Sequence, residues 1–215
     1  MRRLAPEAVA VPITTITVSL ATLALHLGTA GLVGGAIVGL IWSVALGRLA
    51  AWAGRREGWW TLMPDATIAL AITATGMLLG GGLLYGQVAS AVLAEPSTTY
   101  ATLSAMMQPT VPYYIALNTP LETLVVPLAV YLNWHAGRRR DVVVIAAIGY
   151  FAMRVWSYLS IAPMRFEVAS RSLTTADVEW YRRTLGEDYR GVLVIACHLL
   201  FVLAAFTPRS RTRTQ

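Results

Sequence analysis

The chain has 215 residues, 56% hydrophobic and only 13% charged, where a soluble domain of this size carries about a quarter charged residues. Its net charge of +6 comes from seventeen Arg and no Lys, which excludes a Lys Schiff base and with it retinal-type and pyridoxal chemistry. A single cysteine, Cys197, excludes an intrachain disulfide and any paired-Cys metal motif, and no soluble basic region remains to carry nucleic-acid binding.

Charge is missing from 8–47, 66–94, 96–121, 142–153 and 191–208, and runs of about 18 or more apolar residues read as membrane-spanning helices. The short alternating segments of a membrane β-barrel are absent. The expected fold is therefore an all-α, polytopic transmembrane bundle in contact with the lipid bilayer.

Residues 9–53 come first and, at about 65 Å as one helix, exceed a single span. Two helices near 9–27 and 32–53, turning around HLGTAG, form an N-terminal hairpin within 1–60. One long tilted helix, giving five spans rather than six, is the alternative. Arg2 and Arg3 before an apolar stretch ending in GTA also resemble a signal peptide, although the length of the apolar region suits an uncleaved helix better. Residues 61–215 then form a four-helix core, with spans near 66–93, 112–133, 142–163 and 191–207. Arg48, Arg55 and Arg56, then Arg138 to Arg140, then Arg209, Arg211 and Arg213 mark cytoplasmic segments of a multi-pass protein of the cytoplasmic membrane. Six helices then place both termini in the cytoplasm. The loop at 94–111 has no basic residue, and the loop at 164–190 balances five Arg with five acids, so both belong outside. Within the second, a helix near 174–189 is expected, with Thr174 or Thr175 as its cap and Trp180 and Tyr181 against the membrane or over the bundle. Trp59, Trp60 and Trp134 mark the inner interface, Tyr113 and Tyr114 the outer one. GLVGG, GAIVG, GMLLG and GLLYG space small residues four apart, a pattern for close helix packing, either within the chain or against other membrane subunits.

The polar residues inside these spans are the candidate site. Glu122 lies about 15 Å below the outer surface and Arg154 about 18 Å above the inner one, both near the middle of a core about 30 Å thick. An unpaired charge there costs about 3 kcal/mol on insertion scales, so a Glu122–Arg154 pair is expected. Asn118 shares the Glu122 face one turn outward, and Tyr150, Arg154 and Tyr158 recur every four residues on one helix face. His198, Tyr85 and Gln87 reach the outer half of the bundle. Pro120 and Pro127 flank Glu122 and each remove a helical hydrogen bond. Glu122, Arg154 and His198 are the candidate catalytic groups, with Asn118, Tyr158, Tyr85 and Tyr150 around a small hydrophobic ligand. A structural clamp made by Glu122 and Arg154, and a core His198 bonded to a carbonyl, are the plain alternatives. The cofactor stays open: only Glu122 with His198 offers a conceivable metal pair, and His26 and His135 share no clear depth for a haem.

Four segments, GGGLLYGQVASAVLAEP, QPTVPYYIALNTPLE, RVWSYLSIAPMRFEV and WYRRTLGEDYR, lie within 66–207. In these, the chain resembles the anthrone oxygenase-like family of small four-helix membrane proteins. That resemblance implies Gln108, Arg154, Pro163, Trp180 and Arg190 as family-like positions, and an oxygenase acting on a hydrophobic polyketide-type aromatic. The chain departs from the pattern in its N-terminal hairpin and in Met164, which follows Pro163 where the family usually has Asn. Three functions are therefore expected in turn: an enzyme or binding protein for a small hydrophobic molecule, a non-catalytic subunit of a larger membrane complex, and a transporter or proton path using Glu122. No internal repeat supports the last.

Overall fold

A computed structural model describes residues 5–24, 28–56, 58–95, 98–161 and 190–209. Every regular element among them is helical: α1 (Glu7–Ala24), α2 (Gly28–Gly54), α3 (Trp59–Ala94), α4 (Tyr100–Met107), α5 (Thr110–Pro120), a π-turn (Leu121–Val125), α6 (Val126–Asn133), α7 (Arg138–Trp156), a second π-turn (Ser157–Ile161) and α8 (Arg190–Phe206). The chain is an all-α helical bundle. Among the described residues, four helices are long and apolar enough to cross a membrane, Thr29–Gly54, Thr61–Ala94, Ala101–Asn133 and Arg138–Ser160, and two shorter apolar ones, Glu7–Ala21 and Arg190–Phe206, accompany them. The expected loop helix near 174–189, together with Pro163, Met164, Trp180 and His26, lies outside the described residues.

The bundle carries its apolar surface outward. Ile37, Val38, Ile41, Leu70 and Leu199 are exposed, while Thr75, Asn118, Glu122 and Ser157 are buried. In water this arrangement would be unstable; in a bilayer the outer face meets hydrocarbon and the interior satisfies the polar groups. The protein is thus a multi-pass membrane protein.

α1 and α2 lie along one another as a hairpin. They approach so closely that a Cβ on Gly39 would stand 2.8 Å from the Thr15 Cα, the small-residue packing expected where helices have no hydrophobic driving force between them. The bent rod α5–α6 is central, touched by α1, α2, α3 and α7, and α8 closes the far side against α3 and α7. Its core includes Leu121, Val126, Ala129, Ala147, Tyr150 and Phe201, all less than 1% exposed.

Turns are set by chemistry. Gly58 (φ 82°) and Gly137 (φ 60°) sit before α3 and α7 in the left-handed region, which disfavours side chains. Both helices therefore begin earlier than the apolar pattern suggests, at Trp59 and Arg138 rather than near 66 and 142. α4, within the stretch expected to be a loop, is capped by Thr99, whose hydroxyl accepts the Thr102 N–H. At the opposite end of the bundle, Asp65 takes Arg139 at 2.5 Å and Arg209 at 2.8 Å, tying together the starts of α3 and α7 and the end of α8. Arg140 reaches over Trp134 at 5.9 Å on that same end.

Candidate functional site

The local backbone around Glu122 follows from two prolines. Pro127 has no N–H, so the Thr123 carbonyl four residues back loses its helical donor. The Trp42 indole of α2 supplies one instead, Nε1 to Thr123 O at 2.6 Å. One residue earlier the Val126 N–H reaches back five residues to Leu121 O, which widens the turn into a π-bulge. Such bulges are frequent at functional sites because they re-aim side chains. Glu122 sits in this bulge and is 3% exposed.

Both carboxylate oxygens of Glu122 are held. Oε2 accepts the Arg154 Nε at 2.8 Å and Oε1 accepts the Tyr158 hydroxyl. The Arg154 guanidinium also lies 4.5 Å from the Tyr158 ring centre, a cation–π arrangement. Tyr158 belongs to the second π-turn and Glu122 to the first, so both partners of the Glu122–Tyr158 bond are placed by a local widening of their helices. One turn earlier in the chain, Asn118 donates to its own helix at Tyr114 O, 2.9 Å, and accepts the Tyr150 hydroxyl at 2.8 Å. α5 and α7 run antiparallel, yet Asn118 pairs with Tyr150 while Glu122, one turn later, pairs with Arg154 and Tyr158, which come later on α7 and its π-turn. The contacts cross, and the crossing leaves no buried polar atom of the five side chains without a partner.

Above this network lies a cavity of about 330 Å³ between α3, α5, the end of α7 and the start of α8. Leu78, Leu83, Val111, Ile115, Met153, Val194 and Ile195 supply apolar walls; Tyr85, Asn118, Arg154, Ser157, Tyr158 and Arg190 supply the polar groups. Gly82 and Gly86 form part of the α3 wall, and their missing side chains leave the space. Ser157 is fixed by Arg190, whose NH1 donates to its Oγ at 3.1 Å. Tyr85 turns its hydroxyl to Met107 Sδ at 2.6 Å and so ties α3 to α4.

Glu122 and Tyr150 are not on the cavity surface. Arg154, Tyr158 and Asn118 line the space instead, so the guanidinium and the phenol, not the carboxylate, face it. The structure thus brings together Glu122, Arg154, Tyr158, Asn118 and Tyr150, with Tyr85 on the same cavity. Two candidates stand apart. His198 is outside the lining and shares a hydrogen bond with the buried Thr75 hydroxyl, Nδ1 to Oγ1 at 2.9 Å, across α8 and α3. Gln108 caps the end of α4, is exposed and does not reach the cavity. His135 is exposed beyond α6. Among the described residues no three His, Cys, Asp or Glu side chains converge.

Sequence reasoning from the residues alone missed Ser157, which reads as an ordinary small residue in an apolar run, and the Trp42–Thr123 contact. For the latter a signal existed, since any Pro inside a buried helix leaves a carbonyl that some donor must meet. Comparison of the chain with protein-family models, with curated proteins and with solved structures finds no match.

Proposed function

We propose that this protein crosses the cytoplasmic membrane six times, with both termini in the cytoplasm, and binds and transforms a small hydrophobic molecule in the cavity above Glu122. The orientation is supported by the arginines gathered at the Asp65 end of the bundle, the pattern of cytoplasmic segments. The observation that carries the functional reading is the cavity itself: about 330 Å³, apolar on most sides, with Arg154 on its lining and the counter-ion Glu122 sealed behind. Pockets of roughly 300–1,000 Å³ with few convergent polar groups are the usual form of a small-molecule site.

In this reading each side chain has a role. Arg154 offers donors to an oxygen that gains negative charge, such as an enolate or alkoxide, where little water competes. Tyr158 is placed to take a proton from the substrate while passing its own to Glu122 Oε1, so Glu122 acts as the base one step removed. Asn118 and Tyr150 hold the frame. His198 serves packing between α3 and α8. An oxygenase-like outcome is supported by the sequence resemblance alone.

The test is purification of the protein by itself in nanodiscs, followed by extraction and mass spectrometry of bound lipophilic compounds. A compound in near-stoichiometric amount, lost in Arg154→Met at unchanged fold, is the expected result. A chain recovered only with partner proteins, and holding no compound, would instead make it a subunit of a larger complex.

A further inference from the structure

We infer that the cavity opens sideways into the hydrocarbon of the bilayer and takes a single-chain amphiphile with a neutral carbonyl head, which enters from the lipid rather than from water. This rests on the site reading above and adds its substrate class and route. Three large apolar residues of the cavity lining are also exposed: Leu83 (65%), Ile115 (48%) and Ile195 (43%). Leu83 lies eleven residues, about 16 Å, before the end of α3, Ile115 fourteen residues into the apolar span Ala101–Asn133, and Ile195 on the apolar α8. In a bilayer this apolar rim, on helices of membrane-spanning character, has acyl chains as its neighbours. A polar solute would have to cross that layer; an amphiphile already resides in it.

The chemistry of the inner end selects the head group. Arg154 carries donors and no acceptor, so it faces an oxygen. Its charge is already met by Glu122 at 2.8 Å, and a second anion against the pair would leave net charge in a low-dielectric site. A neutral carbonyl oxygen satisfies the guanidinium without that cost. The cavity lies at the lower end of the small-molecule range, enough for a head group and the first part of one chain but not for a two-chain lipid. The remaining chain passes out over the rim.

Gly86 permits a clean test. A Cβ there meets nothing within 4 Å, so a larger side chain projects into the cavity without striking the fold, and Gly80, exposed, off the cavity and equally open, is the control. The full-length protein in nanodiscs is loaded with a long-chain methyl ketone bearing a diazirine in its tail, illuminated, and the labelled peptides are mapped. Labelling is expected at the Leu83, Ile115 and Ile195 peptides, falling roughly tenfold, the equivalent of about 1.4 kcal/mol, in Gly86→Leu and unchanged in Gly80→Leu. The corresponding diazirine fatty acid should label the rim far less. Uniform labelling over outward residues such as Val38 and Ile41, insensitive to Gly86→Leu, overturns the sideways entry, and preferential labelling by the fatty acid overturns the neutral head. If the co-purifying compound persists while the rim is unlabelled, entry fails and the site stands. If no compound is found and Arg154→Met labels as the wild type does, the site itself fails.

Discussion

Removing one partner of the Glu122–Arg154 pair is the sharpest perturbation the structure offers. Glu122 is 3% exposed and the Arg154 side chain 13%, with Nε and Oε2 at 2.8 Å. Breaking a buried pair from one side costs about 3–5 kcal/mol, and a lone charge at the membrane midplane about 3 kcal/mol on insertion scales. The two single changes are not equivalent. A carboxyl group stranded in an apolar site escapes by taking up a proton; a guanidinium has no such exit. Glu122→Gln should therefore be the more damaging, by about 3 kcal/mol, and Arg154→Met the milder, since Tyr158 still donates to the carboxyl. The double variant should recover most of the loss, with a coupling of about 2–3 kcal/mol, the upper part of the range for residues in one network. Reversible unfolding in mixed micelles across the four proteins measures this cycle. Ligand retention measured on the same samples separates holding from working: the double variant should fold and yet bind nothing. Strictly additive losses would refute the pair, and a double variant that binds as the wild type would refute its part in the site.

Tyr150→Phe strands the buried Asn118 Oδ1 and should lower stability by about 1 kcal/mol, near the usual worth of a hydrogen bond between membrane helices, measured by the same unfolding assay. Gly39→Ala drives a Cβ to 2.8 Å from the α1 backbone and should cost about 1–3 kcal/mol, whereas Gly34→Ala, with nothing within 4 Å, should be neutral or slightly stabilising. Trp42→Phe leaves the Thr123 carbonyl without its indole donor and should cost about 1 kcal/mol; in a Pro127→Ala background, where a backbone N–H returns, the same change should be nearly silent. His198→Leu should disturb α3–α8 packing through Thr75 and leave ligand binding untouched, since His198 is off the cavity.

What was legible in the sequence is what periodicity and charge placement encode. The outward apolar faces, the central helix with Glu122 and the four-residue spacing of Tyr150, Arg154 and Tyr158 all follow from a period of 3.6 and from the cost of a lone charge in hydrocarbon. That spacing, however, places residues on a face of an ideal helix, and both helices of the site depart from the ideal where it matters. The π-turns at Leu121–Val125 and Ser157–Ile161 decide that Glu122 points behind Arg154 instead of into the cavity, and no count of residues at a fixed period reveals an inserted one. Pro127 is the visible trace of the first bulge, but its effect depends on Trp42, eighty-one residues before Thr123, and so on a packing that only the assembled bundle supplies. His198 shows the same limit from the other side. Its position along the helix is readable, but its direction is not, and His198 turns away from the cavity to bond Thr75. Depth can be read along a chain because rise per residue is constant; azimuth accumulates every local irregularity between two helices, and a catalytic role depends on azimuth. The order of Arg154 and Glu122 relative to the cavity is therefore a property of the fold rather than of either residue: the guanidinium lines the space and the carboxylate stands behind it, holding it in place.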